Sequence, residues 1–259
     1  MSDEPVLVTE QRDAVRVLRL NRPEARNALS PELLGDIGRG MVAAEADPDT
    51  RCVVLTGTGD RAFCAGMDLR AFAEGGSPTA GAEDGMAGFV RFTRGDLEIP
   101  VVGAANATAV AGGFELLLGC DVVIASSEAK FGVPEVKRGL FAAGGGVFLG
   151  TRIPLAVALE FLLTGDLVDA ERARSLGLVN QVVAPDQVMD AAIAMATRIA
   201  ANGPLALAAT KKLARTAVTD AAAAGELMKE WQPKVFNSED AKEGATAFIE
   251  RRDPVWKGR

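Results

Sequence analysis

Two glutamates have the residue type and surroundings needed for acid–base chemistry. Glu115 lies in an otherwise apolar segment, between Phe114 and three leucines, and Glu135 follows Pro134 in a predicted turn. The chain has no histidine and no tyrosine, so a general acid or base must be Asp, Glu, Lys or Cys. Burial on an apolar helix raises the pKa of a carboxyl group into a range useful for proton transfer. Together the two carboxylates could move a proton and activate water.

Each glutamate also has a structural interpretation. Glu115 could belong to a buried ion pair, because a buried carboxylate is unfavourable unless it is paired, hydrogen-bonded or protonated. Glu135 could be a solvated carboxylate in a surface loop. It is the combination of the two, in a chain without histidine, that favours chemistry over structure.

Two glycine-containing segments could offer backbone N–H groups to a developing negative charge. Gly112 and Gly113 open the predicted helix that carries the first glutamate, and a helix N-terminus has free N–H groups and a partial positive charge. The turn Ala65-Gly66-Met67 follows a predicted strand and precedes Asp68. The alternatives are that the glycines only permit close packing and that Asp68 caps the next helix.

The elements that would position these residues alternate between strands and helices. Short β-branched runs predict strands over 6–9, 14–20 and 51–56. Between the last two, Ser30 followed by Pro31 is a typical helix start, and apolar residues at helical spacing continue to residue 46. The first part of the chain is therefore predicted to run strand, strand, helix, strand.

The middle of the chain repeats this alternation. A buried strand is predicted over 100–106, a helix over 112–119 and another strand over 121–125. Residues 75–88 are rich in Gly, Ala, Ser and acid, which predicts a mobile loop near a site. A short helix is predicted over 170–176. No dinucleotide-binding glycine fingerprint follows the first strand.

From residue 189 onward the sequence is rich in alanine and predicted to be helical. Helix breaks are predicted at residues 202–204, near Pro233 and at residues 253–254. The sequence therefore predicts an α/β core followed by a helical region.

Composition excludes several classes of protein. The 259 residues carry a net charge of −7, which argues against a nucleic-acid-binding surface. The three cysteines form no CxxC pair, and no N-terminal leader is recognisable, so we expect a cytoplasmic protein. No uninterrupted apolar stretch approaches the roughly 20 residues of a membrane span, so we expect no membrane partner.

Taken together, these segments resemble the crotonase, or enoyl-CoA hydratase/isomerase, superfamily. Residues 61–69 (RAFCAGMDL) resemble its first oxyanion-hole segment and residues 100–116 (PVVGAANATAVAGGFEL) its second. Residues 131–136 (FGVPEV), followed by Gly139 and Leu140, resemble the segment that bears the second glutamate. Further matches extend from NRPEARNAL near the N-terminus to FIERRDP near the C-terminus, so the resemblance covers nearly the whole chain.

The resemblance implies a fold and an assembly. The fold would be an α/β, crotonase-like spiral of ββα repeats, formed by residues 1–195, with the acyl-CoA site. Residues 196–259 would form a C-terminal helical region for trimerisation and site closure. Family members form homotrimers, often paired into hexamers as dimers of trimers.

The resemblance also implies a role for each candidate residue. The N–H groups of Met67 and Gly112 would form the oxyanion hole that grips the thioester oxygen. Glu115 and Glu135 would be the catalytic pair, since hydratase members use two glutamates. Substrate and CoA contacts are expected from five further residues: Arg26, Ala65, Asp68, Leu69 and Arg70. No metal and no cofactor are expected, because the CoA thioester is itself the substrate.

One segment and two single positions depart from the common hydratase pattern. After Gly139-Leu140 that pattern has Pro-Gly-x-Gly-Gly-Thr, where this chain has Phe-Ala-Ala-Gly-Gly-Gly-Val at 141–147. Phe114 replaces a frequent cysteine, and Met67 replaces a frequent alanine. We expect these changes to alter acyl specificity.

The resemblance predicts a hydro-lyase that adds water reversibly to a trans-2-enoyl-CoA, as in fatty-acid β-oxidation. A carnitinyl-CoA-type dehydratase and an enoyl-CoA isomerase on the same scaffold are the enzyme alternatives. The alternative of another class is a non-catalytic acyl-CoA-binding protein. The presence of both glutamates favours the hydratase.

Overall fold

A six-stranded sheet forms the centre of the fold in the computed structural model, which describes residues 4–68, 79 and 81–259. The strand order is β1-β2-β3-β4-β6-β9. The strands of this sheet are β1 (Leu7–Arg12), β2 (Val15–Leu20), β3 (Cys52–Gly57), β4 (Val101–Ala105), β6 (Val122–Ser126) and β9 (Gln181–Val183). β1 pairs with β2 in antiparallel fashion and all the other pairs are parallel. The three predicted N-terminal strands are thus confirmed, with shifted ends.

A second, three-stranded sheet lies beside the first. Its order is β5 (Ala109–Val110), β7 (Lys130–Gly132) and β8 (Val168–Asp169). Ala109 pairs with Phe131 and Val110 with Gly132 in parallel, and β7 pairs with β8 in antiparallel fashion. This small sheet matters because its first strand leads directly into the helix that carries Glu115.

Nine α-helices connect and cover the strands within the described residues. They are α1 (Pro31–Ala46), α2 (Glu83–Arg94), α3 (Gly112–Gly119), α4 (Leu155–Thr164), α5 (Ala170–Ser175), α6 (Val188–Ala200), α7 (Pro204–Thr219), α8 (Ala221–Phe236) and α9 (Glu239–Glu250). The predicted start of α1 is confirmed, because the Ser30 side chain accepts a hydrogen bond from the Leu33 N–H at 3.2 Å. The helix predicted over 112–119 is also confirmed.

Both faces of the main sheet are covered. On one face, strand residues such as Leu18 and Leu55 share a core cluster with α1 and α3 residues such as Ile37 and Leu116. On the other face, alternate residues of the same strands pack against the small side chains of α6. Strands buried on both faces read as continuous apolar runs, as β3 does, with all six residues buried.

Of the loop predicted over 75–88, residues 75–78 and 80 lie outside the described residues, and the last part of the prediction was wrong, because α2 begins at Glu83. The glycines that suggested a loop instead allow α2 to cross α1 at very short range. A methyl group placed on Gly38 would lie 1.9 Å from the carbonyl oxygen of Gly85, and one on Gly88 would lie 2.4 Å from that of Gly38. Only residues without a side chain permit this contact.

The predicted break near Pro233 was also wrong. Helix α8 continues through Pro233 to Phe236, because a proline so near the end of a helix removes only one donor. The Pro233 carbonyl still accepts a hydrogen bond from the Asn237 N–H at 3.2 Å. The predicted boundary between residues 195 and 196 falls inside α6, which packs along its length on the sheet.

Candidate active site

The two segments predicted to supply N–H groups lie side by side. Cys64 and Ala109 form a parallel β-bridge, in which the Phe63 N–H donates to Thr108 O at 2.9 Å and the Val110 N–H donates to Cys64 O at 3.1 Å. Two segments that run side by side in the same direction stay adjacent over the next few residues. The turn at Gly66-Met67 therefore meets the turn that opens α3.

The contact between the two turns depends on glycine. Gly66 has a φ of +84°, and a methyl group added to it would lie 2.6 Å from Ala111 Cβ and 3.1 Å from Gly112 N. A methyl group added to Gly112 would lie 3.8 Å from Met67 N. The backbone nitrogens of Met67 and Gly112 are therefore neighbours.

The N–H of Met67 points away from the bridge that holds its segment. Leu29 pairs with Met67 in a parallel bridge that uses the Gly66 carbonyl at 2.8 Å and the Asp68 N–H at 3.2 Å. In such a bridge the central residue's own N–H faces the opposite side. The N–H of Gly112 needs no acceptor within α3, because it belongs to the first residue of that helix.

Ala111 holds the start of α3 in an unusual backbone conformation. Its φ is +52° and its ψ is −132°, which is unfavourable for a residue with a Cβ atom. Its N–H donates to Gly132 O at 2.9 Å, so the small sheet fixes the residue in place. Strain of this kind persists only where the surrounding structure determines it, and here it aims the first N–H groups of α3.

Glu115 lies in the first turn of α3 and is 6% exposed. The seven residues that follow Gly112 in this helix are all buried. The rings of Phe114 and Phe131 pack 5.7 Å apart and join α3 to β7. This packing leaves the carboxyl group little freedom to leave the protein interior.

The carboxylate of Glu115 is met by a glycine-rich loop. The N–H of Gly146 donates to Oε1 of Glu115 at 2.8 Å. Burial raises the pKa of Glu115 above its usual range, and the N–H groups of Gly146 and Gly144 counter part of that rise. The group is therefore a buried carboxylate with backbone donors that favour its ionised form.

Glu135 is half-buried and has different surroundings. It lies in a 3-10 helix, Pro134–Arg138, which agrees with the predicted turn. Its Oε2 atom is buried, and among the described residues that atom has no hydrogen-bond partner. Burial raises the pKa of Glu135 above its usual range and the nearby charge of Glu115 raises it further, while the backbone N–H of Glu135 and the charge of Arg138 counter part of that rise. The net upward shift favours the protonated form more than in an exposed glutamate.

The structure brings three of the five predicted substrate-binding residues to this region. The Ala65 N–H donates to Arg26 O at 3.0 Å, and the Arg26 side chain is exposed. Asp68 pairs with Arg22 at 3.2 Å. Leu69 and Arg70 lie outside the described residues.

Sequence reasoning missed several residues that support the candidate site. Gly144 and Gly146 were noted only as a departure from a motif, and the strained Ala111 gave no signal. Arg22 was not singled out, although it holds both Asp68 and the carbonyl of Ala28. A run of three glycines between elements is the one signal that could have directed attention to the loop.

The far end of α3 is fixed by cations. The guanidinium of Arg152 donates to Leu118 O, and that of Arg215 donates to Gly119 O and Cys120 O, both at 3.1 Å. Arg215 also pairs with Asp121 at 2.7 Å. These side chains line a cavity of about 1190 Å³ that also reaches Gly144. Helix α3 is thus held at both ends.

Possible metal ligands and possible membrane-spanning helices are two further features of the described residues. Among residues 4–68, 79 and 81–259, no three His, Cys, Asp or Glu side chains are grouped so that they could hold a metal ion. No single helix in the same part of the chain is long and apolar enough to span a membrane. One helix pair, Pro185–Ala200 and Pro204–Thr219, meets the length and composition criteria jointly but is bent by 105°.

Comparison with known proteins gives consistent results. A family profile described as "Enoyl-CoA hydratase/isomerase" matches residues 10–259. Carnitinyl-CoA dehydratase of Proteus mirabilis is 40% identical over 255 residues, covering 96% of this chain and 97% of that protein.

Among solved structures, enoyl-CoA hydratase of Mycobacterium tuberculosis superposes with a TM-score of 0.90 at 44% identity, covering 99% of this chain and 100% of that one. Carnitinyl-CoA hydratase of Mycobacterium avium superposes with a TM-score of 0.77 at 40% identity, with the same coverage.

Proposed function

The chain belongs to the enoyl-CoA hydratase/isomerase family and has its crotonase fold, and we propose that it catalyses the reversible addition of water to a trans-2-enoyl-CoA. One observation carries the proposal. Glu115 lies in the first turn of the helix that Gly112 opens, the nitrogen of Gly112 neighbours that of Met67, and the charge of Glu115 acts on the half-buried Glu135. Water addition to a conjugated thioester needs all four groups.

The N–H groups of Met67 and Gly112 act on the thioester oxygen. When oxygen from water attacks C3, the electron pair of the double bond moves toward the carbonyl and negative charge grows on its oxygen. Two N–H donors stabilise that charge, and the N-terminus of α3 adds its dipole. Loss of one such donor typically costs about 3–4 kcal/mol of transition-state stabilisation.

The two glutamates divide the proton transfers. Ionised Glu115 accepts a proton from the attacking water, so that a new C–O bond forms at C3. Protonated Glu135 donates its proton to C2 and re-forms the thioester carbonyl. One proton is taken up and one is released, so the pair is restored by transfer through solvent after product leaves. Adding water leaves the overall oxidation level of the acyl group unchanged. The reaction as written therefore needs no redox cofactor.

The CoA part of the substrate is anionic and needs basic contacts. The exposed side chain of Arg26 stands beside the Ala65 segment and is our candidate for a phosphate contact, with Arg70 as the second. An Arg26→Ala variant should raise KM more than it lowers kcat, because the phosphates lie far from the reacting carbons. Equal KM in variant and wild type would remove Arg26 from the CoA site.

Two acyl groups are candidates. Relatives named for carnitinyl-CoA and for enoyl-CoA are about equally similar to this chain. Hydration of crotonyl-CoA and of crotonobetainyl-CoA should therefore be measured side by side in heavy-oxygen water. Incorporation of heavy oxygen at C3 of either product supports the hydratase.

The other outcomes separate the alternatives. Movement of a double bond from a trans-3-enoyl-CoA, without heavy-oxygen uptake, would establish an isomerase instead. Tight binding of both thioesters with no turnover would establish a binding protein. Glu115→Gln and Glu135→Gln should abolish most of the activity on either thioester. Their matched control is Glu230→Gln, since Glu230 is an exposed residue of α8, and this variant should behave as wild type.

We also propose a homotrimer, or a hexamer built from two trimers. Large apolar side chains are exposed in two separate parts of the chain: Phe141, Phe148, Leu155 and Leu163 in the first, and Phe236, Phe248 and Ile249 in the second. Large apolar side chains that are exposed together usually mark protein interfaces. Light scattering should give about three or six times 26.9 kDa, and a mass of 26.9 kDa at micromolar protein would contradict the proposal.

The cytoplasm is the location that fits the cysteines best. Cys52, Cys64 and Cys120 are buried free thiols, and burial raises the pKa of Cys52 and of Cys64 to about 12. Buried thiols that are unlinked are typical of proteins from a reducing compartment.

A further inference from the structure

We infer that Gly144 and Gly146 are positioning residues that clamp the side chain of Glu115, and that the missing side chain of Gly144 leaves the space that the carboxylate occupies. The inference rests on the proposed function, because the base whose position is fixed is the one assigned there. It deepens that function by locating what fixes the base.

The first part of the clamp is a direct hydrogen bond. The Gly146 N–H donates to Oε1 of Glu115 at 2.8 Å across 31 residues of chain. A hydrogen bond to an ionised group is stronger than one between neutral groups, and it favours the ionised form. The bond thus holds the carboxylate in place and also favours its charge.

The second part is the space above Gly144. A methyl group placed on this residue would lie 2.4 Å from Oε2, 3.0 Å from Cδ and 3.4 Å from Oε1 of Glu115. All three nearest atoms belong to one carboxyl group. The carboxylate of Glu115 therefore occupies the volume that any side chain at residue 144 would fill.

The backbone of Gly144 does not explain the glycine. Its φ lies outside the left-handed region that favours glycine, whereas the next residue, Gly145, has a φ of +131°. An alanine at 144 would meet no backbone strain of that kind. The three nearest described atoms belong to the end of a flexible side chain, so a Gly144→Ala protein should fold and displace Glu115.

Gly146 is less suitable for the test. A methyl group there would lie 2.5 Å from Ala142 Cβ and 3.1 Å from Val133 Cγ1, so substitution would disturb packing as well. Gly225→Ala is a matched control, because a methyl group on this α8 residue would meet no atom of the described part of the chain within 4 Å.

The experiment compares kcat, KM and the pH dependence of kcat/KM for wild type, Gly144→Ala and Gly225→Ala. We expect Gly144→Ala to lower kcat by about 10- to 100-fold, part of the 10²–10⁴-fold that a positioned base supplies. KM should change by less than about threefold, because the CoA contacts are elsewhere. The acid limb should move up by about one pH unit, since hydrogen bonds to the ionised form are lost.

A purely structural role would lower activity without moving the acid limb. A Gly144→Ala enzyme with wild-type kcat and an unmoved acid limb would overturn the clamp and leave the hydratase proposal intact.

A second readout does not depend on turnover. The pKa of the Glu115 carboxyl can be followed by carbon-13 NMR of labelled glutamate, with Glu115→Gln to assign the signal. We expect a higher pKa in Gly144→Ala than in wild type. An equal pKa in the two proteins would overturn the clamp, even if no thioester proves to be a substrate.

Discussion

Glu115 is buried and Glu135 is half-buried, and the protein treats their oxygens differently. A backbone N–H reaches Oε1 of Glu115 at 2.8 Å, whereas Oε2 of Glu135 is buried and has no partner among the described residues. Burial raises the pKa of both groups. What differs is the neighbouring groups, because two loop N–H groups favour the Glu115 carboxylate and the charge of Glu115 favours the protonated form of Glu135.

This difference shows how a chain without histidine can keep an acid and a base side by side. The negative charge of Glu115 itself raises the pKa of Glu135, so an ionised base favours a protonated acid beside it. Two carboxyl groups in the same surroundings would compete for one proton instead.

The comparison can be broken most directly by replacing each carboxyl group with an amide. Glu115→Gln and Glu135→Gln should each lower kcat by at least about 10²-fold, the size of a lost general base or acid. Thermal unfolding should show that both variants fold, and Glu230→Gln should match wild type. Near-wild-type turnover in either variant would remove that glutamate from the mechanism.

The pair also depends on the N–H donors beside it. Gly66→Ala places a methyl group 2.6 Å from Ala111 Cβ and 3.1 Å from Gly112 N, so it should separate the two donors. We expect kcat to fall by about 10²-fold, the lower range for a lost oxyanion contact.

The control for this variant is Gly59→Ala. Gly59 has nearly the same φ, +83° against +84°, but among the described residues a methyl group there would meet only Pro23 Cβ, at 3.5 Å. Both variants carry the same backbone strain, so only a loss specific to Gly66→Ala supports the site. Equal kinetic losses would contradict it.

The pH dependence of kcat/KM sharpens the comparison further. Activity should require ionised Glu115 and protonated Glu135, so the profile should be bell-shaped. Because burial raises the pKa of Glu115 above 4.5, activity should already be falling at a pH where an exposed glutamate would still be ionised. An acid limb near 4.5 would show that Glu115 is not the base, or that it is solvated.

The smallest expected effect is on stability. A raised pKa means that the folded protein holds the proton more tightly than the unfolded chain, so this stabilisation is complete at low pH and is lost as pH rises through the folded pKa. Gln cannot ionise, so Glu135→Gln should avoid that loss and raise the thermal midpoint at pH 8 above that of wild type.

Glu115→Gln should bring no such gain, because its amide would face the donors of Gly144 and Gly146. Thermal midpoints measured at equal protein concentration, at pH 8 and near pH 4, test this contrast. A gain for Glu115→Gln as large as that for Glu135→Gln would show that the two environments are alike.

Much of the fold could be predicted from local signals. The Ser30-Pro31 start of α1 and the apolar runs of the strands were confirmed because cap chemistry and burial act within a few residues. The glycines of 75–88 misled because their reason is a distant one. Gly85 and Gly88 touch α1, about fifty residues earlier in the chain, and no local pattern records that contact.

The site divides in the same way. Glu115 could be singled out because a lone carboxylate on an apolar helix is anomalous by itself. Its clamp could not, since the bond from Gly146 joins residues 31 apart, and a glycine beside a carboxylate looks like any loop glycine. The strain at Ala111 is set by its bond to Gly132, which is likewise invisible in sequence.

The central claim is that Glu115 is ionised and Glu135 protonated in the resting site. Carbon-13 NMR titration of labelled glutamate, assigned with Glu115→Gln and Glu135→Gln, tests it most directly. We predict that the pKa of Glu135 lies above that of Glu115, and that it falls in Glu115→Gln because the neighbouring charge is gone. A pKa of Glu115 above that of Glu135, or ordinary values for both, would contradict the account.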